Sequence, residues 1–236
     1  MTRTEDLDGE HELEVMAEIA RRLADADGLD NILHRVVLLA EDCIDDCDGV
    51  SLMLIGRKGS VACPAFSSQV AYDSDQAQFA TNQGPCLEAI REHETAIIDD
   101  LADDDRWPSY RRRVLELGIR SVLGVRLFQR DDTLGALSFY SSSPHTFGTR
   151  SRLLAQVFAA HAAVAMKAAI AEAGAEAALQ SRDVIGQAKG VLIAHEGLTG
   201  AEAFTRLREL SQQFHWPLRE LAEEIATSGQ IPPAGT

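Results

Sequence analysis

The sequence has little lysine, little cysteine and no long hydrophobic run, and each shortage removes a class of protein. Three lysines in 236 residues, with 37 acidic against 22 basic side chains, leave a formal charge of −15. A chain so acidic does not grip polyanions over its whole surface, so any contact with nucleic acid has to come from a local patch. Four cysteines (Cys43, Cys47, Cys63, Cys86), all in the first half, read as reduced thiols rather than a disulfide framework. No stretch approaches the roughly 18 contiguous apolar residues of a membrane span. The opening Met1 to Glu10 is too acidic for a signal peptide, so a cytoplasmic protein without membrane contact is expected. His93, His145 and His161 have no spacing to one another or to cysteine that suits a metal. What the chain does have is the balance of a folded protein, 45% hydrophobic and 25% charged.

The acidity is uneven. Residues 175–236 hold five basic groups (Arg182, Lys189, Arg206, Arg208, Arg219) and eight acidic ones, a net of −3. Residues 1–174 carry 17 basic and 29 acidic groups, a net of −12. An acidic body joined to a nearly neutral tail indicates two modules, and the length suits a medium domain plus a small one.

Within the body, apolar spacing predicts helices over His11 to Ala26 and Leu29 to Cys47, the second closed by Gly49. The first ten residues are expected to fray. Strands follow at Val50–Ile55 and Val61–Phe66, around a turn at Gly56 to Gly59. A short helix at Ser74–Ala80, a helix from Gly84-Pro85 through His93 and a strand at Ala96–Ile98 come next. An acidic loop (Asp99, Asp100, Asp103, Asp104, Asp105) is expected to cap a helix from Trp107 to Leu117. Strands at Ser121–Phe128 and Thr133–Tyr140 surround a hairpin turn at Asp131-Asp132. Strands in a meander with inserted helices describe an α+β domain whose antiparallel sheet keeps one face for a pocket.

From Thr149 to His195 there is no proline, and alanine dominates. Val157, Val164, Ala171, Ala178, Ile185 and Leu192 recur every seven residues, a weak heptad stripe with mixed companions, including Leu154, His161, Arg182 and Lys189. One long helix is expected, loosened at Gly174, pairing with its counterpart in a homodimer or lying on its own sheet. Thr199 with Glu202 forms a capping box for a helix from Gly200, whose Ala203, Phe204 and Leu207 read as core. Pro217 suits the first position of a last helix, ended by Gly229 and Pro232.

Arg182-Asp-Val-Ile-Gly-Gln-Ala-Lys-Gly-Val-Leu192, Gly197-Leu-Thr-Gly-Ala-Glu-Ala-Phe204 and Leu207-Arg-Glu-Leu-Ser211 resemble the ANTAR domain. Upstream, Gly84-Pro-Cys-Leu-Glu-Ala-Ile90, Asp105-Arg-Trp-Pro108, Gly118-Ile-Arg-Ser-Val-Leu-Gly-Val125 and Leu134-Gly-Ala-Leu137 resemble the GAF sensor domain. The resemblance implies a GAF sensor over residues 11–172 and an all-α, three-helix ANTAR domain over residues 173–230. It implies transcription antitermination, by a dimer bound to two stem-loops of a nascent RNA, under control of an unidentified small-molecule ligand. No enzyme activity, metal or evident cofactor is needed.

RNA loops are read by phosphate contacts and by stacking on splayed bases. Lys189, with Gly190 beside it leaving room for close approach, is the first candidate, although that glycine also suits a helix-packing contact. Arg182 lies one heptad earlier and suits RNA or a cross-dimer pair. Arg208 suits a phosphate, or an ion pair with Glu209 or Glu202. The ANTAR family usually has Asn and a basic pair ahead of the last helix. Here stand His215, Trp216 and Pro217, and Trp216 suits either a stacked base or a cap on the small core.

In the body, Phe66, Tyr72, Cys86, Trp107, Tyr110 and Phe139 are pocket candidates, each equally readable as core. Cys43 and Cys47, four apart, read as buried helix residues. Cys86 begins a helix, where the N-terminus lowers a thiol pKa. The alternative to a regulator is therefore a thiol enzyme of the methionine sulfoxide reductase type using Cys86 and Cys63, or a redox sensor built on the same cysteines or on Cys43 and Cys47. A DNA-binding helix-turn-helix lacks its basic face here.

Overall fold

The computed structural model describes residues 14–92, 95–130 and 132–231, which fall into two compact units divided between Ile170 and Ala171. The expectations for residues 1–13, His93, Asp131 and Pro232 lie outside the described residues.

The first unit opens with helix α1 (residues 14–24) and α2 (Leu29–Asp42), which buries Ile32, Leu33, Val36, Val37, Leu39 and Ala40 as its spacing predicts. Helix α2 stops five residues before the expected Cys47. Glu41, Asp42, Asp45 and Asp46 crowd its C-terminus, where the helix dipole disfavours negative charge, and Asp46 turns the chain at φ 57°. Cys43 and Cys47 therefore do not share a helical face, and Gly49 opens a strand instead of closing the helix.

The strands are β1 (Gly49–Ile55), β2 (Val61–Phe66), β3 (Ala96–Ile98), β4 (Ser121–Gln129) and β5 (Asp132–Ser141), all antiparallel in the order β2-β1-β5-β4-β3. Gly135 on β5 is fixed by this pairing, since a Cβ there would lie 1.8 Å from the Met53 carbonyl oxygen of β1. Period-two alternation splits the sheet into two faces. Val50, Leu52, Leu137 and Phe139 enter one core with α1, α2 and the start of α6 (Thr149–Glu196). Ser51, Met53, Ser138 and Tyr140 face helices α3 (Gln69–Thr81), α4 (Pro85–Glu92) and α5 (Pro108–Glu116).

Helix α3 is nearly twice as long as expected. Ser68 starts it by accepting the Ala71 N–H at 3.3 Å. Its sheet-facing side carries buried Ser74, Asp75 and Gln78, so no apolar period announces it. The acidic loop does not cap α5, whose N-cap residue is Trp107 without a side-chain cap bond. Its carboxylates pair with arginines instead: Asp100 with Arg120 at 2.6 Å, Asp104 with Arg106 at 2.5 Å, and Asp105 with Arg111.

Helix α6 runs 48 residues and is unbroken at Gly174. In the first unit it buries Ala155, Phe158, Ala159, Ala162, Ala163, Met166 and Ala169, and leaves Leu153 (58%), Val157 (44%) and Val164 (55%) exposed. It contains a stretch long and apolar enough to cross a membrane, at mean hydropathy 1.6. Counting contiguous apolar residues misses this stretch, because Gln156, His161 and Lys167 interrupt the alanines. The same alanines serve the core of a folded domain.

The second unit comprises α6 from Ala171, α7 (Gly200–Gln213) and α8 (Leu218–Ser228). Ala188, Leu192, Ala203, Leu207, Leu210, Leu221, Ala222 and Ile225 form its core. The capping box is present as read, with both Thr199–Glu202 bonds made. Pro217 is the N-cap of α8 rather than its first helical residue, and Gly229 ends the helix at φ 65°. Phe204, expected in the core, is 38% exposed. It lies one step round α7 from Ala203, on the shoulder rather than the buried stripe.

Candidate functional site

The second unit arranges its charges unevenly. Positions 182, 186, 189 and 193 recur at helical spacing and share one side of α6, placing Arg182 and Lys189 beside the exposed Ile193. Arg206 pairs with Glu196 at 3.3 Å and lies 3.9 Å from Glu209, and Arg219 pairs with Glu223 at 2.9 Å. Arg182, Lys189 and Arg208 have no ion-pair partner among the described residues. The two carboxylates that the sequence offers Arg208 are engaged elsewhere, Glu209 beside Arg206 and Glu202 on the Thr199 amide at 2.8 Å.

A Cβ on Gly190 would meet nothing within 4 Å, and the same holds for Gly186 one turn earlier. The packing contact that would explain Gly190 internally is therefore missing. Lys189 reaches across to α7, its Nζ lying 3.9 Å from where a Cβ on Gly200 would stand. Trp216 stays outside the core cluster at 36% exposure; its indole N–H donates to Glu220 at 3.2 Å, and its carbonyl accepts from the Ser211 hydroxyl at 2.6 Å.

In the first unit the six pocket candidates do not line one space. Phe139 lies in the core on the α2 and α6 face, whereas Trp107 and Tyr110 pack with Val122 and Tyr140 on the other. Cys86 joins Met53, Leu87 and Ala136. Phe66, 41% exposed, forms a ring pair with Tyr72 at 4.8 Å.

What gathers beneath α3, α4 and α5 is a buried polar cluster that sequence reading missed. Tyr140 donates its hydroxyl to Asp75 Oδ1 at 2.6 Å, and Gln78 Nε2 approaches the same oxygen at 3.3 Å. Gln78 Oε1 accepts the Cys86 N–H at 3.0 Å and the Leu87 N–H at 3.4 Å, filling the open end of α4. The Cys86 thiol meets the Ser138 hydroxyl at 2.6 Å. Burial pushes the Asp75 carboxyl up to about 6, a rise that hydrogen bonds from its neighbours only partly offset. Asp75 Oδ2, Ser51 Oγ, Ser74 Oγ and the Tyr110 hydroxyl have no hydrogen-bond partner among the described residues. Asp and Gln inside a helix give no periodic signal, which is why only the three-dimensional neighbourhood reveals them.

All four thiols are shifted towards the protonated form. Burial pushes Cys43 and Cys86 up to about 12 and Cys47 to about 11, and raises Cys63 further still. At the start of α4 desolvation outweighs the helix N-terminus, so Cys86 holds its proton at neutral pH. Cys43 borders two clefts of about 270 and 170 Å³ beside α1 and α2.

The GAF domain family model matches residues 26–167, and the ANTAR domain model matches residues 173–225. No protein of curated function matches the chain. Among solved structures, the chain is similar to the GAF domain of a phosphoenolpyruvate-protein phosphotransferase from Coxiella burnetii. That match has 19% identity over 69% of this chain and 96% of that one, at a TM-score of 0.56. It is similar also to the free methionine-R-sulfoxide reductase from Neisseria meningitidis, solved in complex with its substrate. There the identity is 16% over 68% of this chain and 91% of that one, at a TM-score of 0.55. At such identities the likeness is one of fold.

Proposed function

Because the chain belongs to the GAF domain family and carries an ANTAR domain at residues 173–225, we propose that it is a signal-responsive regulator that binds stem-loops of nascent RNA as a dimer and so promotes antitermination. A GAF domain senses signals and an ANTAR domain is an RNA-binding antitermination module, so the general role is regulatory. The functional division we propose is a sensor over residues 11–172 and an RNA reader over residues 173–230.

The observation that carries the reading is electrostatic. Across residues 175–236, of net charge −3, the cations without an ion-pair partner among the described residues are Arg182, Lys189 and Arg208, three of the residues that the sequence reading offers to RNA. No carboxylate among the described residues neutralises them, which leaves them available to phosphate. Dimerisation is supported by Leu153, Val157 and Val164, apolar and exposed on one stripe of α6. The raised thiols of half-buried Cys63 and buried Cys86 give the enzyme alternative no support, since its nucleophile has to be a thiolate.

A pool of two-stem-loop RNAs with randomised loops, titrated with the full-length protein at two salt concentrations, tests this reading. Selective, salt-weakened binding is expected. Lys189→Ala or Arg208→Ala should weaken it by about 1–3 kcal/mol while the helix content stays unchanged. Equal binding by both variants would remove these residues from the interface.

A further inference from the structure

We propose that Phe204 is a base-stacking residue of the RNA interface, held between the cations Lys189 and Arg208. This rests on the RNA-binding reading above and names the residue that would contact a base.

Positions 200, 204 and 208 recur every four residues and share one side of α7, next to the buried stripe of Ala203, Leu207 and Leu210. Lys189 Nζ touches the start of this side, 3.9 Å from the Cβ position of Gly200, and Arg208 closes it about 12 Å further along the helix. Phe204 stands midway, 38% exposed. The carboxylates of α7 point elsewhere, Glu202 back to Thr199 and Glu209 towards Arg206. In a chain of net charge −15, this side of α7 reads cation, aromatic ring, cation, with no acid of its own helix on it.

The ring is not a member of the buried core of the second unit, and more than a third of its residue's surface faces solvent. Flat ring and flanking positive charge match single-stranded nucleic acid, where bases alternate with phosphates. Every base offers a face for such a ring, so loop sequence would be set mainly by other contacts. A second copy of the chain laid on the same strip about a two-fold axis would bring these cations towards their own counterparts, which is repulsive.

The test uses the full-length protein, the tightest RNA recovered from the loop pool, and the variants Phe204→Leu and Phe204→Tyr. Leucine keeps apolar bulk without a ring, and tyrosine keeps the ring. Phe204→Leu is expected to weaken binding on the order of tenfold, with Phe204→Tyr close to the unaltered protein. With 2-aminopurine placed at successive loop positions, one position should be quenched by the unaltered protein and by Phe204→Tyr but not by Phe204→Leu. An abasic nucleotide there should erase the difference between the variants. Equal affinity and equal quenching with Phe204→Leu would overturn the proposal while leaving RNA binding standing. A change in sedimentation mass without a change in RNA affinity would overturn it too, assigning the ring to a protein contact. Failure of the unaltered protein to recover any RNA would overturn this inference together with the reading beneath it.

Discussion

At the scale of single residues, Gly190 and Asp75 are both placed at a cost that their own unit does not repay. Glycine inside a helix is about 1 kcal/mol worse than alanine, and the space beside Gly190 is open. Gly190→Ala should therefore raise the unfolding midpoint of the second unit while lowering RNA affinity at least about tenfold, because the added methyl group enters the space we assign to RNA. Calorimetry and a binding titration on the same preparation check both halves, and unaltered affinity would mean that no ligand approaches there. Asp75 works in the opposite sense to a stabilised carboxylate. Its folded-state value, about 6, exceeds the ordinary 3.8, so the folded form binds the proton more tightly. The stability this gives is present below pH 4 and is lost as the pH rises through about 6, by about 3 kcal/mol. Asp100 and Asp132, held below the usual carboxylate range by Arg120 and Lys167, lose their contribution only as the pH falls below about 4, so the two windows separate. Urea unfolding of the first unit should show higher stability at pH 5 than at pH 7.5, and Asp75→Asn should abolish that difference. A persistent difference in the variant would assign it to another group.

At the scale of elements, α7 depends on its first turn and α6 on its outer stripe. Thr199 accepts the Glu202 amide at 3.4 Å, and Glu202 returns to the Thr199 amide at 2.8 Å. Thr199→Ala leaves the Glu202 amide without its acceptor and removes the Thr199 hydroxyl's bond to the Glu202 carboxylate, and should cost about 1 kcal/mol, read as a lower midpoint for the second unit with the first unchanged. The stripe on α6 matters between molecules. Val164 is 55% exposed, so Val164→Glu should leave the unfolding midpoint of the monomer intact. If the stripe holds a dimer, the same change should halve the mass seen by light scattering, from twice 25.6 kDa to that value. A dimer that survives the substitution would move the contact to another surface.

At the scale of the whole molecule, the division of labour follows charge and composition. Much of it is legible from one end of the chain to the other. The proline-free alanine tract predicts α6 to within a residue at its C-terminal end, since little else satisfies a 3.6-residue period for so long. The capping box fixes the start of α7, and β2 and β3 appear with the bounds their sequence predicts. These are local properties, carried by spacing and by backbone chemistry within a few residues. Tertiary structure decided what depends on neighbours distant in sequence. The end of α2, the full length of α3 and the arginine partners of the acidic loop belong there. So do the opposite faces taken by Phe139 and Tyr110, and the meeting of Asp75, Gln78, Cys86 and Tyr140. Which cations stay unpaired and whether Phe204 is buried or exposed were decided there as well. The physical reason is common to all of them. Periodicity reports how a segment relates to one surface, whereas burial of a charge, pairing of an ion and exposure of a ring are fixed by the groups that folding brings opposite.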